Sequence, residues 1–384
     1  MSDSPVALKP SSNRLASLDA LRGFAMLWII GARDIVRGLD ALGLPWTGAL
    51  ANQLAHAGWN GFTFYDLVFP LFLFIVGVSL VFSLRKRRKS GQSTGQILLH
   101  AGKRALLLFV LGVIYNGGVS ASPLLSNLRL MGVLQRIALV YFFTSLIVLC
   151  GGPKRQMVTA GAILVGYWAM LRFVPAPGVA AGSLTPSANL AQYIDQHLLP
   201  GRLYWDGWDP EGLLSTIPAV ATGLLGALAG QWLHTEVWPF GRAKGQALTP
   251  ARKAWFLVVV GIAGAAAGLL LSLLLPINKS LWTSTYALLA GGLSSALLGV
   301  FYWLIDVRGI RRWAFPFVVI GMNSLFIYLA VNLVPFDDLA RRLAGGDISA
   351  LFGKGQVLFE SVVTLFVEWG FLYWLYRRKI FVKL

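Results

Sequence analysis

The sequence predicts an all-α, polytopic membrane protein with about ten transmembrane helices and both termini in the cytoplasm. Three observations predict it. Only 13% of the 384 residues are charged and 56% are hydrophobic, where a soluble domain carries roughly 25% charged residues. The apolar residues come in blocks long enough to cross a bilayer, which takes about 20 residues as a helix. Lys and Arg gather in alternate connections, the asymmetry that orients a membrane protein.

The spans fall at roughly 18–37, 62–84, 101–118, 130–150, 156–175, 212–234, 254–275, 282–305, 314–335 and 357–376. Residues 1–16 form a polar, Pro/Ser-rich cytoplasmic tail without a cleavage site, so the first helix is read as uncleaved. Residues 17–384 form one transmembrane domain. Connections assigned to the periplasm are poor in basic residues: 38–61 has none, 176–211 has only Arg202, and 276–281 has only Lys279. Those assigned to the cytoplasm are basic, with Arg85 through Lys89, Lys154 and Arg155, Arg242 and Lys244, Arg252 and Lys253, and Arg308, Arg311 and Arg312. The C-terminal tail adds Arg377, Arg378, Lys379 and Lys383. Residues 336–356 fit least well, carrying Arg341, Arg342 and Lys354 beside acidic residues. The longest connection, about 176–211, contains a candidate interfacial amphipathic helix at 188–199.

The net charge of +17 is accounted for by this topology and by contact of basic loops with the lipid bilayer, so no nucleic-acid partner is predicted. Cys150 is the single cysteine, which excludes an intrachain disulfide and a cysteine metal site. No histidine has a second ligand at helical spacing, and no metal is predicted.

Ionisable groups within a membrane are costly and mark function. One set falls toward the periplasmic side: His56, Asp66, Gln135, Arg136, Asp209, Glu211, Asn278 and Lys279, with Asn323 and Ser324 deeper. They come from five parts of the chain, and a shared polar pocket is the economical reading. Structural readings stand beside it. Asp66 and Arg136 suit an ion pair between helices. Asp209, with Pro210 at the first helical position, suits a cap for the sixth span. Lys279 suits a snorkelling lysine. His56 lies in a charge-free loop and fits no apolar stripe.

A second set, Ser17, Asp19 and Arg22, opens the first span, with Arg104 in the third. It reads either as capping and snorkelling or as a phosphate site at a helix N-terminus. Trp46, Trp59, Trp205, Trp208 and Trp282 lie near the outer boundary. They read as an aromatic belt, or, for Trp59, Trp205 and Trp208, as a stacking surface for sugar rings beside Asp206 and Asp209.

At these residues the chain resembles the bacterial relatives of heparan-alpha-glucosaminide N-acetyltransferase, within the transmembrane acyltransferase superfamily. The pieces are residues 17–23 (SLDALRG), 56–70, 132–136 (GVLQR), 209–212 (DPEG), 278–282 (NKSLW) and 321–324 (GMNS), in one order along nearly the whole chain. The resemblance implies transfer of acetyl from cytoplasmic acetyl-CoA, as acyl donor, to the amine of a glucosamine-type sugar across a bacterial inner membrane. It maps the active-site histidine onto His56, and it implies a homodimer. At the position of a family asparagine near the outer end of the first helix this chain has Arg33.

The resulting expectation has Arg22 and Arg104 holding the phosphates of acetyl-CoA. His56 acts as nucleophile or general base, oriented by Asp66 or Glu211. Asn278 or Asn323 donates to the oxyanion, with Gln135, Arg136, Asp209 and Lys279 around the acceptor. Two rivals stay open: an amino-sugar transporter without chemistry, and an acyltransferase for lipid-linked or cell-wall glycans.

Overall fold

The computed structural model describes residues 15–117, 127–205, 207–239 and 244–382, without the side chain of Arg33. The tail before Leu15, Asp206, Arg242 and Lys383 lie outside the described residues. The helices are α1 (Ala16–Leu42), α2 (Pro45–Leu54), α3 (Phe64–Lys89), α4 (Thr94–Tyr115), α5 (Val133–Cys150), α6 (Pro153–Phe173), α7 (Leu190–Leu198), α8 (Leu213–His234), α9 (Pro250–Leu271), α10 (Ser284–Phe301), α11 (Phe315–Met322), α12 (Ser324–Ala330), α13 (Phe336–Ala344), α14 (Asp347–Ala350) and α15 (Gln356–Arg377). A two-residue hairpin, Leu184–Thr185 with Ala188–Asn189, precedes α7. Among the described residues, seven helical segments are long and apolar enough to cross a membrane: α3, α4, α5, α8, α9, Ser284–Val307 and Gly353–Arg377.

Boundaries follow local chemistry. α4 begins earlier than the apolar run because Ser93 accepts from the Gln96 backbone N–H while Gln96 returns a bond to Ser93. α9 likewise begins at Thr249, whose hydroxyl accepts from Arg252 N. α7 occupies the expected amphipathic stretch, capped by Asn189. At α1 neither Ser17 nor Asp19 caps the helix. The carboxylate of Asp306, at the end of the π-turn that closes α10, accepts from Ala16 N and Ser17 N.

The ninth predicted span is two helices, broken at Asn323, whose backbone leaves the helical region (φ −128°, ψ 31°). Its side-chain amide donates to Ile380 O and accepts from Val382 N, both at 3.0 Å. The residue that interrupts the helix thus pins the chain beyond α15.

Glycine lets the central helices touch backbone to backbone, the usual packing device where lipid supplies no hydrophobic drive between helices. Cβ atoms built on Gly77 and Gly226 would lie 2.0 Å from Gly223 O and Phe74 O, locking α3 against α8. α9 and α10 meet through Gly261, Gly268 and Gly292, and α1 and α11 through Gly23 and Gly321. Gly226→Ala is expected to lose about 1–3 kcal/mol by overpacking, read as a lower melting temperature in detergent. Gly161→Ala, in α6 with open space around it, should be neutral or stabilising by up to about 1 kcal/mol.

α3, α5, α8 and α10 all begin at one end of the bundle. Tyr286 donates to Asp66 O (2.7 Å), and Arg136 reaches Gly212 O at the start of α8. The functional groups assemble at that end.

Candidate functional site

Asp66 is the third residue of α3, and this position determines where its two oxygens point. Oδ2 completes a capping box with Thr63, accepting from Thr63 N and from Ala57 N (both 3.1 Å), while the Thr63 hydroxyl donates to Ala55 O (2.7 Å). Oδ1 is left for the loop above, where Nδ1 of His56 donates to it at 2.8 Å. Asp66 is buried, whereas the His56 side chain is 55% exposed. The imidazole lies against the Tyr65 ring, centroids 4.6 Å apart. With Nδ1 carrying the proton given to Asp66, Nε2 holds the ring's lone pair.

The third member arrives from the turn at 276–283. Thr283 Oγ1 donates to Pro276 O, and Asn278 N donates to Thr283 Oγ1. Trp282 closes the turn in the left-handed region, φ 49°, a conformation that costs a non-glycine residue on the order of 1–3 kcal/mol. It is held there by burial, by its Nε1 bond to Thr222 Oγ1 (3.2 Å) and by the Arg136 guanidinium 4.9 Å above its ring. The turn aims Lys279 at the histidine. Its Nζ lies 2.8 Å from Nδ1 and 3.1 Å from Nε2 of His56, and 3.4 Å from Asp66 Oδ1. Burial pushes the Lys279 amine below its ordinary range, opposed by Asp66 and Glu211. Lys279 therefore belongs to the cluster and does not snorkel.

Asn278 does something other than the expected oxyanion donation. Its Nδ2 donates to Trp59 O (2.6 Å) and Asn60 Oδ1 (3.1 Å), and its Oδ1 accepts from Leu281 N. Both amide hydrogens are engaged in tying the turn to the histidine loop, a tie doubled by Gly61 N to Ile277 O (2.9 Å).

Beside this cluster stands an arginine that the sequence reading missed. Arg129 donates from Nε and Nη2 to the two oxygens of Asp209 and from Nη2 to Glu211, each at 2.8 Å. It stacks over Tyr204 at 4.6 Å. Burial alone would lower the guanidinium, but the two carboxylates outweigh it and hold it above its ordinary value. The Glu211 carboxyl is pushed up, first by burial and then by Asp209, against the pull of Arg136 and Arg129. The signal that would have found Arg129 is a lone arginine just ahead of the fourth span, on a side otherwise poor in basic residues. Arg129→Ala strands two paired carboxylates and is expected to destabilise by about 3–5 kcal/mol, measured by thermal unfolding in detergent, with Arg129→Lys recovering part of it.

Several expected pairings differ. Asp66 does not pair with Arg136. Arg136 is fully buried and reaches Ser215 Oγ, Thr216 Oγ1 (3.3 Å) and Gly212 O (3.4 Å), with Nη1 left without a hydrogen-bond partner. The neighbouring Gln135 is also buried, and neither its oxygen nor its nitrogen has a partner. Asp209 does not cap α8. It accepts from Glu211 N and Tyr204 N in its own loop, and Leu213 N is met by Asp195 Oδ1 (2.8 Å) from α7. Asn323 lies with the C-terminal tail, and Glu211 faces Arg129 and not His56.

Burial lifts the Asp195 carboxyl from the ordinary 3.8 to about 7. A raised folded-state value means that stability is greatest below the unfolded value and falls as pH climbs to about 7. Asp195→Asn keeps the oxygen that caps α8 and removes the titration. Relative to the parent it should gain about 1.4 kcal/mol per pH unit between pH 5 and 7, visible in melting temperatures across that range.

The three tryptophans come together. Trp59 meets Trp208 edge-on at 5.2 Å, and Trp208 stacks on Trp205 at 6.3 Å. Trp59 is fastened by its Nε1 to Leu184 O (2.6 Å), and Trp205 is exposed. Trp282 is no belt residue, being buried beneath Arg136.

At the opposite end, Arg22 donates to Asp19 Oδ1 (3.2 Å) and Ser79 Oγ (2.7 Å), while Arg104 lies 5.1 Å over the Tyr141 ring. A cavity of about 380 Å³ at that end is lined by Arg85, Arg88, Gly151, Gly152 and the start of α6.

The sequence model of one protein family, described as "Heparan-alpha-glucosaminide N-acetyltransferase, catalytic", matches residues 14–261. The chain is 27% identical to the human heparan-alpha-glucosaminide N-acetyltransferase over 97% of its own length and 60% of the relative's. It is 26% identical to the mouse protein of the same name, over 99% and 62% respectively. The chain thus spans about 60% of the length of these relatives.

Proposed function

Because the chain belongs to the heparan-alpha-glucosaminide N-acetyltransferase catalytic family, we propose that it transfers acetyl from acetyl-CoA to the amine of a glucosamine-type sugar at the His56 end of the bundle. The observation that carries this reading is the contact of His56 with Asp66 and Lys279. It leaves Nε2 with the ring's lone pair 3.1 Å from the Lys279 amine, in a half-exposed position. In this reading the spans number about ten, both termini lie in the cytoplasm of a bacterial inner membrane, and His56 faces the periplasm.

Asp66 holds Nδ1–H and so fixes the tautomer in which Nε2 does the chemistry. In one route Nε2 attacks the thioester carbon, giving an acetyl-imidazolium whose Nδ1–H stays on Asp66 and releasing the CoA thiolate. The sugar amine then displaces the ring, and the freed Nε2 takes the amine's proton, which passes to the thiolate. In the other route the amine attacks the thioester directly and Nε2 takes its proton, which leaves with the thiolate as CoA thiol. Both routes place negative charge on the carbonyl oxygen, and Lys279 is the cation beside it. This role passes to Lys279 because the Asn278 amide is spent on Trp59 and Asn60. Trp59, Trp208 and Trp205 supply the stacking face for the sugar, with Asp209 and Glu211 gathered by Arg129 beside it and Arg136 and Gln135 buried beneath. The donor's phosphates are assigned to the basic end, at Arg22, Arg104 and the Arg85–Arg88 cavity.

The test is acetyl transfer from radiolabelled acetyl-CoA to glucosamine by purified protein in detergent. Label on the sugar supports the reading, and label retained on the protein when glucosamine is withheld selects the acetyl-imidazole route. Sugar uptake into proteoliposomes lacking acetyl-CoA, with no transfer in either format, would replace it by amino-sugar transport.

A further inference from the structure

A second cavity, of about 460 Å³, lies between α1, α12, α13 and α15 and shares no residue with the His56 cluster. Four carboxyl groups and two arginines line it. Arg37 faces Asp34 at 3.6 Å, and Arg341 faces Asp337 and Glu360, both at 3.8 Å. That leaves Glu368. Its side chain sits within the last apolar segment, is 4% exposed, and its Oε2 is buried with no hydrogen-bond partner. A carboxyl group at such a position is costly unless something answers it, and inside a membrane segment it marks a binding function.

The rest of the wall describes what would answer it. Tyr115 and Tyr328 stack in parallel, centroids 4.9 Å apart, and present an aromatic edge with two hydroxyl groups. Asn332 and Thr364 add short polar side chains. An excess of carboxylate selects a cation, the amide and hydroxyl groups select a hydroxyl-bearing frame, and the tyrosines select a ring with an apolar face. A metal ion would leave the tyrosines without purpose; Thr364, whose hydroxyl donates to Glu360 O at 3.0 Å, keeps its oxygen as an acceptor for a ligand hydroxyl.

We propose that this cavity is a second binding site for a protonated amino sugar, with the ammonium group on Glu368. The choice of a sugar among hydroxylated amines rests on the function proposed above. The site itself rests on the cavity and its unanswered carboxyl group.

The test is equilibrium binding of radiolabelled glucosamine to the purified full-length protein in detergent without acetyl-CoA. Glu368→Gln keeps the side-chain shape and removes the charge, and should weaken glucosamine binding at this cavity at least tenfold, taking the bound stoichiometry from two sites to one while the His56-end site is kept. Asn332→Ala, on another element of the cavity wall, should weaken it severalfold and guards against misfolding of the first variant. N-Acetylglucosamine, with the same frame and no ammonium group, should compete at least tenfold less well. Unchanged binding by Glu368→Gln, equal competition by the two sugars, or no glucosamine binding by the parent protein would overturn the proposal. A parent that transfers acetyl while Glu368→Gln binds glucosamine normally loses this site and keeps the proposed function. A parent that binds glucosamine through Glu368 and transfers nothing does the reverse.

Discussion

His56→Ala is expected to lower acetyl transfer by about two to four orders of magnitude, the range a positioned acid–base group contributes, while leaving the protein folded. The second half of that expectation comes from the geometry. The imidazole is more than half exposed and caps nothing. The loop that carries it is held by other groups, through Asn278 to Trp59 and Asn60, Gly61 to Ile277, and Thr63 Oγ1 to Ala55 O. Melting temperature and elution in detergent should therefore match the parent. The decisive comparison is transfer at saturating glucosamine. A variant retaining parental turnover would remove the histidine from the chemistry and leave it as a sugar contact.

Asp66→Asn should cost nearly as much turnover by a different route. The asparagine oxygen can occupy the Oδ2 position, keeping the bonds from Ala57 and Thr63 and hence the start of α3. Its amide nitrogen then faces Nδ1 of His56. Two donors cannot share that position, so the ring must take its proton on Nε2, the nitrogen meant to attack or to accept. The expected outcome is a fall of about a hundredfold or more in kcat with little change in the glucosamine KM, since the wrong tautomer hinders the transition state and leaves binding intact. Loss confined to KM would instead place Asp66 in acceptor binding.

How much of this could be read beforehand differs residue by residue. The histidine loop, the carboxylate ten positions on and the lysine were all visible as polar groups at one depth, because membrane topology ranks residues by depth and apolar blocks report it. Which group meets which was not visible. Arg136 was the natural partner for Asp66 by charge, yet helix packing turns it toward Gly212, Ser215 and Thr216, and Lys279 takes the place beside the carboxylate. Pairing depends on which helix faces touch, here set by glycine contacts such as Gly77 with Gly223, and these leave no mark in the hydropathy of either helix. The break at Asn323 was hidden because the apolar run continues through it, and its cause lies in the C-terminal tail. The cap of α8 was misplaced for a similar reason. Asp209 stands at the right distance in sequence, but Asp195 arrives from another helix.

Lys279 joins His56 from 223 positions further along the chain, beyond the stretch the family model covers. A ribosome delivers the histidine and its aspartate early and the lysine late, and domains are assembled in that order during synthesis. A nascent chain halted before residue 276 would hold its histidine in a loop lacking the Ile277 anchor, the asparagine tie and the cation. On the function proposed above, the centre is therefore complete only when the turn before α10 has been inserted and has closed on a loop made long before.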